Sequence, residues 1–157
     1  MREQTPGITM NVAPELVESF ERTFRRIMWL EQKRLGKLLH EHNLTMPQFF
    51  VLVHLAHREN GCAIGDLAGK LFQSNATMTG IVDRLEEERL VHRARNDAED
   101  RRKVMVQVTP RGRHLLGRAT ESRRAQSQRV LAQFSTPQLE ELHRLLTEYA
   151  MHLEKES

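Results

Sequence analysis

The groups in this chain best suited to chemistry are guanidinium and ammonium side chains, and they cluster. From Arg89 to Arg113 there are eight basic residues (Arg89, Arg93, Arg95, Arg101, Arg102, Lys103, Arg111 and Arg113) against three acids (Asp97, Glu99 and Asp100). Over all 157 residues the formal charge is only +3. The positive field is therefore local, as a nucleic-acid footprint requires, and not the diffuse charge of a polycation. A guanidinium presents its donors in a rigid plane that suits phosphate oxygens and the acceptor edges of bases. The plainer reading of the same run is a solvated, charged hairpin.

Other chemistries find less support. There is no Gly-rich phosphate loop, no Gly-x-Ser-x-Gly and no His-Glu-x-x-His, so an enzyme is not expected. Glu86, Glu87 and Glu88 read as a solvated helix face. His54 and His57 lie three apart, near His40-Glu41-His42, and would be the place to seek a metal. They read instead as solvated or packing histidines, and no metal or cofactor is expected. Cys62 is the single cysteine, so an intramolecular disulfide is impossible and a packing role is expected. No apolar run approaches the roughly 20 residues of a membrane span, and the N-terminal MREQTPGITMNVAPEL lacks a signal peptide's apolar core. A soluble, cytoplasmic protein is the expectation.

The flanking sequence supplies the elements that must position the basic cluster. Residues 1 to about 13 read as a flexible arm. Pro14 suits the first turn of a helix running to about His42, with Leu16, Phe20, Phe24, Ile27, Leu35, Leu38 and Leu39 near helical spacing. Such a helix is roughly 40 Å long, more than a small globule covers, so a partner chain is expected along it. Thr45-Met46-Pro47-Gln48 is a capping box that opens a second helix. Two short helices follow, about Ile64 to Leu71 and about Ser74 to Arg89, with Ser74 as the natural N-cap of the second. There Met78, Ile81, Val82 and Leu85 form one apolar stripe. Ser74, Asn75, Thr77, Gly80, Asp83 and Arg84 fall largely outside it, and a small, polar first turn is what a helix entering the major groove needs; Ser74, Asn75, Thr77, Thr79, Gly80 and Arg84 are the candidate contacts.

After Leu90 the period becomes two. Val104, Val106 and Val108 share one face, and Val91 to Arg95 is the matching strand. The connecting tip, Asn96 to Lys103, holds no glycine or proline and is set by Asn96, Asp97 and Asp100. Thr109-Pro110 opens a long helix to about Phe134, and Ser135-Thr136-Pro137-Gln138 is a further capping box that opens the last helix. The expected fold is mainly α with a small β-hairpin, that is, a helix-turn-helix followed by a basic wing.

These residues resemble the MarR family of winged helix-turn-helix transcriptional regulators over about residues 20 to 155. The resemblance is carried by Thr45-x-x-Gln48, Asp66-Leu67-Ala68, Asp83-Arg84-Leu85-Glu86, the wing signature Asp100-Arg101-Arg102, and Thr109-Pro110-Arg111-Gly112. It implies an obligate homodimer interlocked through its terminal helices, with recognition helices in successive major grooves of a pseudo-palindromic double-stranded operator. It also implies that Arg102 reaches a flanking minor groove, oriented by Asp100, while Arg93, Arg95, Arg101 and Lys103 contact phosphates. Many members bind aromatic, often anionic, small molecules beside the first two helices. Arg25, Arg26, Trp29 and Lys33 are the matching candidates here, with Trp29 as a dimer-interface residue the other reading. Zinc-sensing members carry a Glu-His pair where this chain has Phe49 and Phe50, and peroxide-sensing members carry a cysteine near the start of helix 1, which this chain lacks.

The expected organisation is an arm (1–13), a helical dimerisation region (14–44 and 110–157) and a winged helix-turn-helix domain (45–109). The expected function is a regulator of transcription, a repressor released by a small-molecule effector. Metal or oxidant sensing on the same fold, or a winged-helix module for protein interaction, are the alternatives.

Overall fold

The computed structural model describes residues 12–95 and 104–156. Its elements are α1 (Pro14–Glu41), α2 (Met46–Ala56), β1 (Cys62–Ala63), α3 (Ile64–Lys70), α4 (Asn75–Glu87), β2 (Val91–Arg95), β3 (Val104–Val108), α5 (Pro110–Leu131) and α6 (Thr136–Glu156). The strands form an antiparallel sheet in the order β1-β3-β2. Arg93 is opposite Val106 in one ladder, and Cys62 is opposite Val106 in the other. The two-stranded wing expected from sequence thus gains a third, two-residue strand. Residues 1–11, most of the expected arm, lie outside the described residues, as do residues 96–103 at the wing tip.

Local chemistry accounts for most helix boundaries. At α2 the capping box forms as expected. The Thr45 amide donates to Gln48 Oε1 at 2.8 Å, and the Gln48 amide donates to Thr45 Oγ1 at 3.4 Å. At the start of α6 the pattern differs, because Gln138 Oε1 accepts from both the amide and the hydroxyl of Ser135. Among the described residues, three helices end with a non-glycine residue in the left-handed region: Asn43 after α1, Phe72 after α3 and Arg89 after α4. Each is followed by a residue whose amide reaches back to the last turn, as Leu44 does to Leu39 and Leu90 does to Leu85, the pattern of a Schellman cap.

The Thr109-x-x-Gly112 segment has a clear physical basis. Thr109 Oγ1 accepts from the Gly112 amide at 3.0 Å, which caps α5, and lies 2.8 Å from the Arg89 carbonyl, to which it donates. A Cβ at Gly112 would stand 2.1 Å from the Leu90 carbonyl oxygen. One turn therefore fixes the start of α5 against the end of α4, and only glycine permits the approach.

A single core unites Leu38 and Leu39 of α1, the α2 residues Phe49, Val51, Leu52 and Leu55, and Leu67 of α3. It continues through Met78, Val82 and Leu85 of α4, Val91, Val106 and Val108 of the wing, and Leu116 and Ala119 of α5. Each large apolar side chain buried this way contributes about 1.5–3 kcal/mol, so α4 sits on a firm platform. The rest of the chain is different. The buried residues of α1 are confined to its last turns, and α6 buries none. In the single chain these helices meet through Phe20, Phe24 and Tyr149, whose ring centroids lie 5.2–5.9 Å apart.

Candidate nucleic-acid interface

The stripe of Met78, Val82 and Leu85 turns one side of α4 inward. Ser74, Asn75, Thr77, Thr79, Gly80 and Arg84 are all exposed on what remains. Ser74 caps the helix, accepting from the Thr77 amide at 3.1 Å, and its hydroxyl lies 2.8 Å from that of Thr77. The Thr79 hydroxyl donates back to the Asn75 carbonyl at 2.8 Å, so its proton is engaged within the helix. A Cβ at Gly80 would meet nothing within 4 Å. No internal packing demands this glycine, and its effect is to leave the outer face low. The first turn also carries the partial positive charge of a helix N-terminus.

Arg93 has a more defined position than the sequence suggested. Its guanidinium pairs with Asp83 Oδ1 at 2.5 Å and with Glu86 Oε2, while its backbone amide donates to Glu86 Oε1 at 3.1 Å. The hydrogen bond to Asp83, with further help from Glu86, raises its pKa despite partial burial. Asp83 and Glu86 are thus the groups through which α4 holds strand β2. This corrects the reading of Glu86 as part of a solvated face, because one carboxylate here serves both the backbone and the side chain of Arg93. Arg93 is among the residues expected to contact phosphates, and here its guanidinium has two anionic partners. Arg84, one residue on from Asp83, makes no ion pair among the described residues and remains open outward. Arg95 lies at the end of β2, and Asp100, Arg101, Arg102 and Lys103 lie outside the described residues.

A groove of about 730 Å³ lies among α1, α2 and α5. Phe24, Arg25, Met28, Trp29, Glu31, Gln32 and Leu35 of α1 line it, with Met46 and Phe50 of α2 and Arg123 of α5. Of the four ligand candidates, Arg25 and Trp29 line this groove and Arg26 and Lys33 do not. Lys33 instead places its Nζ 5.1 Å from the Trp29 ring centroid, a cation–π distance. Arg25 is shared with Glu21, 3.5 Å away. Arg123 and Phe50 were missed by sequence, since α5 approaches α1 only in the folded chain. Met46 and Phe50 also line a smaller groove of about 190 Å³, together with Pro47, Leu71, Gln73, and Met78 and Ile81 of α4.

The histidines do not converge. Among the described residues no three of His, Cys, Asp or Glu come together as a metal set. His42 Nε2 lies 3.2 Å from Ser122 Oγ, linking α1 to α5. Among the described residues, His54 Nε2 is buried without a hydrogen-bond partner; burial first, then Arg58, Lys70 and His57, lower its pKa. Burial likewise pushes the Cys62 thiol up, away from the thiolate that redox chemistry uses. No helix is long and apolar enough to cross a membrane among the described residues.

Comparison with known proteins gives a consistent picture. Residues 44–104 match the model of the MarR family. The chain is 30% identical to the HTH-type transcriptional regulator PecS of Dickeya dadantii over 97% of its own length and 89% of that protein's. Among solved structures it is similar to a MarR family protein from Bacillus stearothermophilus, with a TM-score of 0.83, 25% identity, and coverage of 91% of this chain and 99% of that one. It is also similar to a single-site mutant of S. aureus MepR bound to an oligodeoxyribonucleotide, with a TM-score of 0.64, 25% identity, and coverage of 85% and 97%.

Proposed function

The chain belongs to the MarR family of DNA-binding transcriptional regulators, and from that premise we propose that it is a homodimeric repressor released by a small aromatic or anionic ligand. The observation that carries this is the pair of adjoining grooves. One side holds an apolar, cation-flanked space of about 730 Å³, within the range of small-molecule sites. Phe50 and Met46 separate it from the smaller groove that reaches Met78 and Ile81 of α4. A ligand that moves Phe50 or Met46 thereby acts on the underside of the helix whose outer face meets DNA. Such a ligand releases the operator only by its differential affinity for a conformation in which the two recognition helices misfit the grooves.

In this reading Ser74, Asn75, Thr77, Thr79, Gly80 and Arg84 face the major groove. Arg102, held by Asp100, enters the minor groove, and Arg95, Arg101 and Lys103 hold phosphates. Arg93 positions the wing. Residues 45–109 are the DNA-binding domain, and residues 14–44 and 110–157 form the dimer. Support for the second copy comes from α6, a 21-residue helix without a buried residue, and from exposed Leu16, Ile27, Leu30, Leu142, Leu145 and Leu146 on α1 and α6. Helices of this length owe their stability to packing an apolar face. As a DNA-bound regulator it works in the cytoplasm.

Trp29 is the single tryptophan and lines the groove, so its fluorescence reports occupancy directly. Titration with a panel of aromatic carboxylates and phenols is expected to change Trp29 emission and to release operator DNA over the same concentration range. Release without any Trp29 response, or a Trp29 response without release, would contradict the reading.

A further inference from the structure

Phe72 sits where neither the fold nor the solvent gains from a phenyl ring. It is 95% exposed, more than any other large apolar side chain among the described residues. Its φ is 52°, a left-handed backbone that an aromatic residue adopts only against steric strain. The residue is the C′ position of a Schellman cap on α3. Its amide reaches the Gly69 carbonyl at 3.4 Å, and the Gln73 amide reaches the Ala68 carbonyl at 2.9 Å. Glycine serves this position without strain, and the other two such caps among the described residues carry the polar residues Asn43 and Arg89. The ring fills no internal space either, since the adjacent groove is lined by Leu71 and Gln73 on either side of it and not by Phe72.

What the position does offer is proximity to α4. Phe72 lies two residues before Ser74, the N-cap of that helix. Lys70, Gln73 and Ser74 around it are exposed, and a Cβ at Gly69 would meet nothing within 4 Å. The turn is therefore a low surface with one apolar ring, one ammonium and a helix N-terminus. We infer that Phe72 is a DNA-contact residue, whose ring packs on apolar surface at the lip of the major groove, a thymine methyl or a deoxyribose edge, as the first turn of α4 enters. Lys70 beside it is suited to a flanking phosphate. This inference rests on reading α4 as the recognition helix. It adds an apolar, partly sequence-reading contact to an interface otherwise built from polar and charged groups.

The test uses the full-length protein and a duplex that the wild type itself selects from genomic fragments. Phe72→Gly should raise the thermal midpoint by roughly 2–4 °C at equal protein concentration, because strain is relieved. It should nonetheless weaken duplex binding about tenfold, from lost apolar burial. The slope of log affinity against log salt should not change, since no phosphate contact is removed. Phe72→Leu should retain most of the affinity. Replacing thymines one at a time by deoxyuridine separates the two apolar surfaces. A methyl contact gives one sensitive position per half-site in the wild type and none in Phe72→Gly, whereas a deoxyribose contact gives no position sensitive in the wild type alone. Unchanged affinity for Phe72→Gly would overturn the inference and leave the DNA-binding reading standing. A lowered thermal midpoint would show that the ring packs within the fold, and would overturn it too. A wild type that selects no duplex would overturn both.

Discussion

At the scale of single residues, the most telling arrangement is Arg93 between Asp83 and Glu86. Exposed ion pairs are worth about 0–1 kcal/mol each, but here one guanidinium, 27% exposed, serves two carboxylates while Glu86 also holds a backbone amide. The pairing ties strand β2 to α4, so that in the proposed complex the distance between major-groove and minor-groove contacts is set inside the protein. Arg93→Ala is expected to cost about 1–2 kcal/mol of stability and to weaken duplex binding through misplacement of the wing. Arg93→Lys should restore little, because an ammonium cannot fork between two carboxylates. Denaturant unfolding beside duplex titration checks both. Arg102→Ala should instead leave stability alone and weaken binding more than about fivefold, as loss of one charged groove contact does.

His54 gives a pH signature at the same scale. Its folded pKa lies below its ordinary value of 6.5, so the unfolded chain takes up the proton first. Stability from the neutral ring is present above about pH 6.5 and is lost as pH falls towards the folded pKa. Unfolding of the wild type should therefore shift more between pH 7.5 and 5.5 than that of His54→Gln. Equal shifts would mean that the buried nitrogen is hydrated or paired.

At the scale of elements, the firmest constraint is the turn that joins β3 to α5. Thr109→Ala should cost about 1 kcal/mol through loss of the cap. Gly112→Ala should cost more, about 1–3 kcal/mol or above, since its Cβ would stand 2.1 Å from the Leu90 carbonyl oxygen and the backbone would have to move. Thermal midpoints of the two variants give the order directly. Elements of this kind were legible in the sequence because their signals are local. A capping box, an i, i+3, i+4, i+7 stripe and a run of alternating valines each lie within a few residues of what they determine. Strand β1 escaped because two residues have no period. Arg93's partners escaped because Glu86 and Asp83 meet it only after the chain turns back on α4. The groove was half legible: Trp29 and Arg25 announced it, Phe50 of the second helix was not singled out for it, and Arg123 comes from α5, which nothing local in the sequence places beside α1. Nothing local marked Phe72 as left-handed, since its residue type argues against that conformation.

At the scale of the whole molecule, the chain divides into a well-packed platform and helices with exposed apolar faces. The core that runs from Leu38 to Ala119 holds α4 and the wing as one unit. The early part of α1 and all of α6 have little to bury in the single chain. In the proposed dimer a second copy covers those faces and at the same time sets the spacing of two recognition helices, so that assembly and operator geometry become one property. Light scattering should give a dimer mass, and removal of α6 should produce monomers or aggregates with far weaker duplex binding. Whether a dimer reads two successive major grooves is decided by mapping the protection of a duplex selected by the purified protein across a salt series. Two protected half-sites about 10–10.5 base pairs apart are expected, with affinity falling about a thousandfold between 50 and 200 mM salt. A single unpaired footprint, or binding indifferent to salt, would contradict the proposed function.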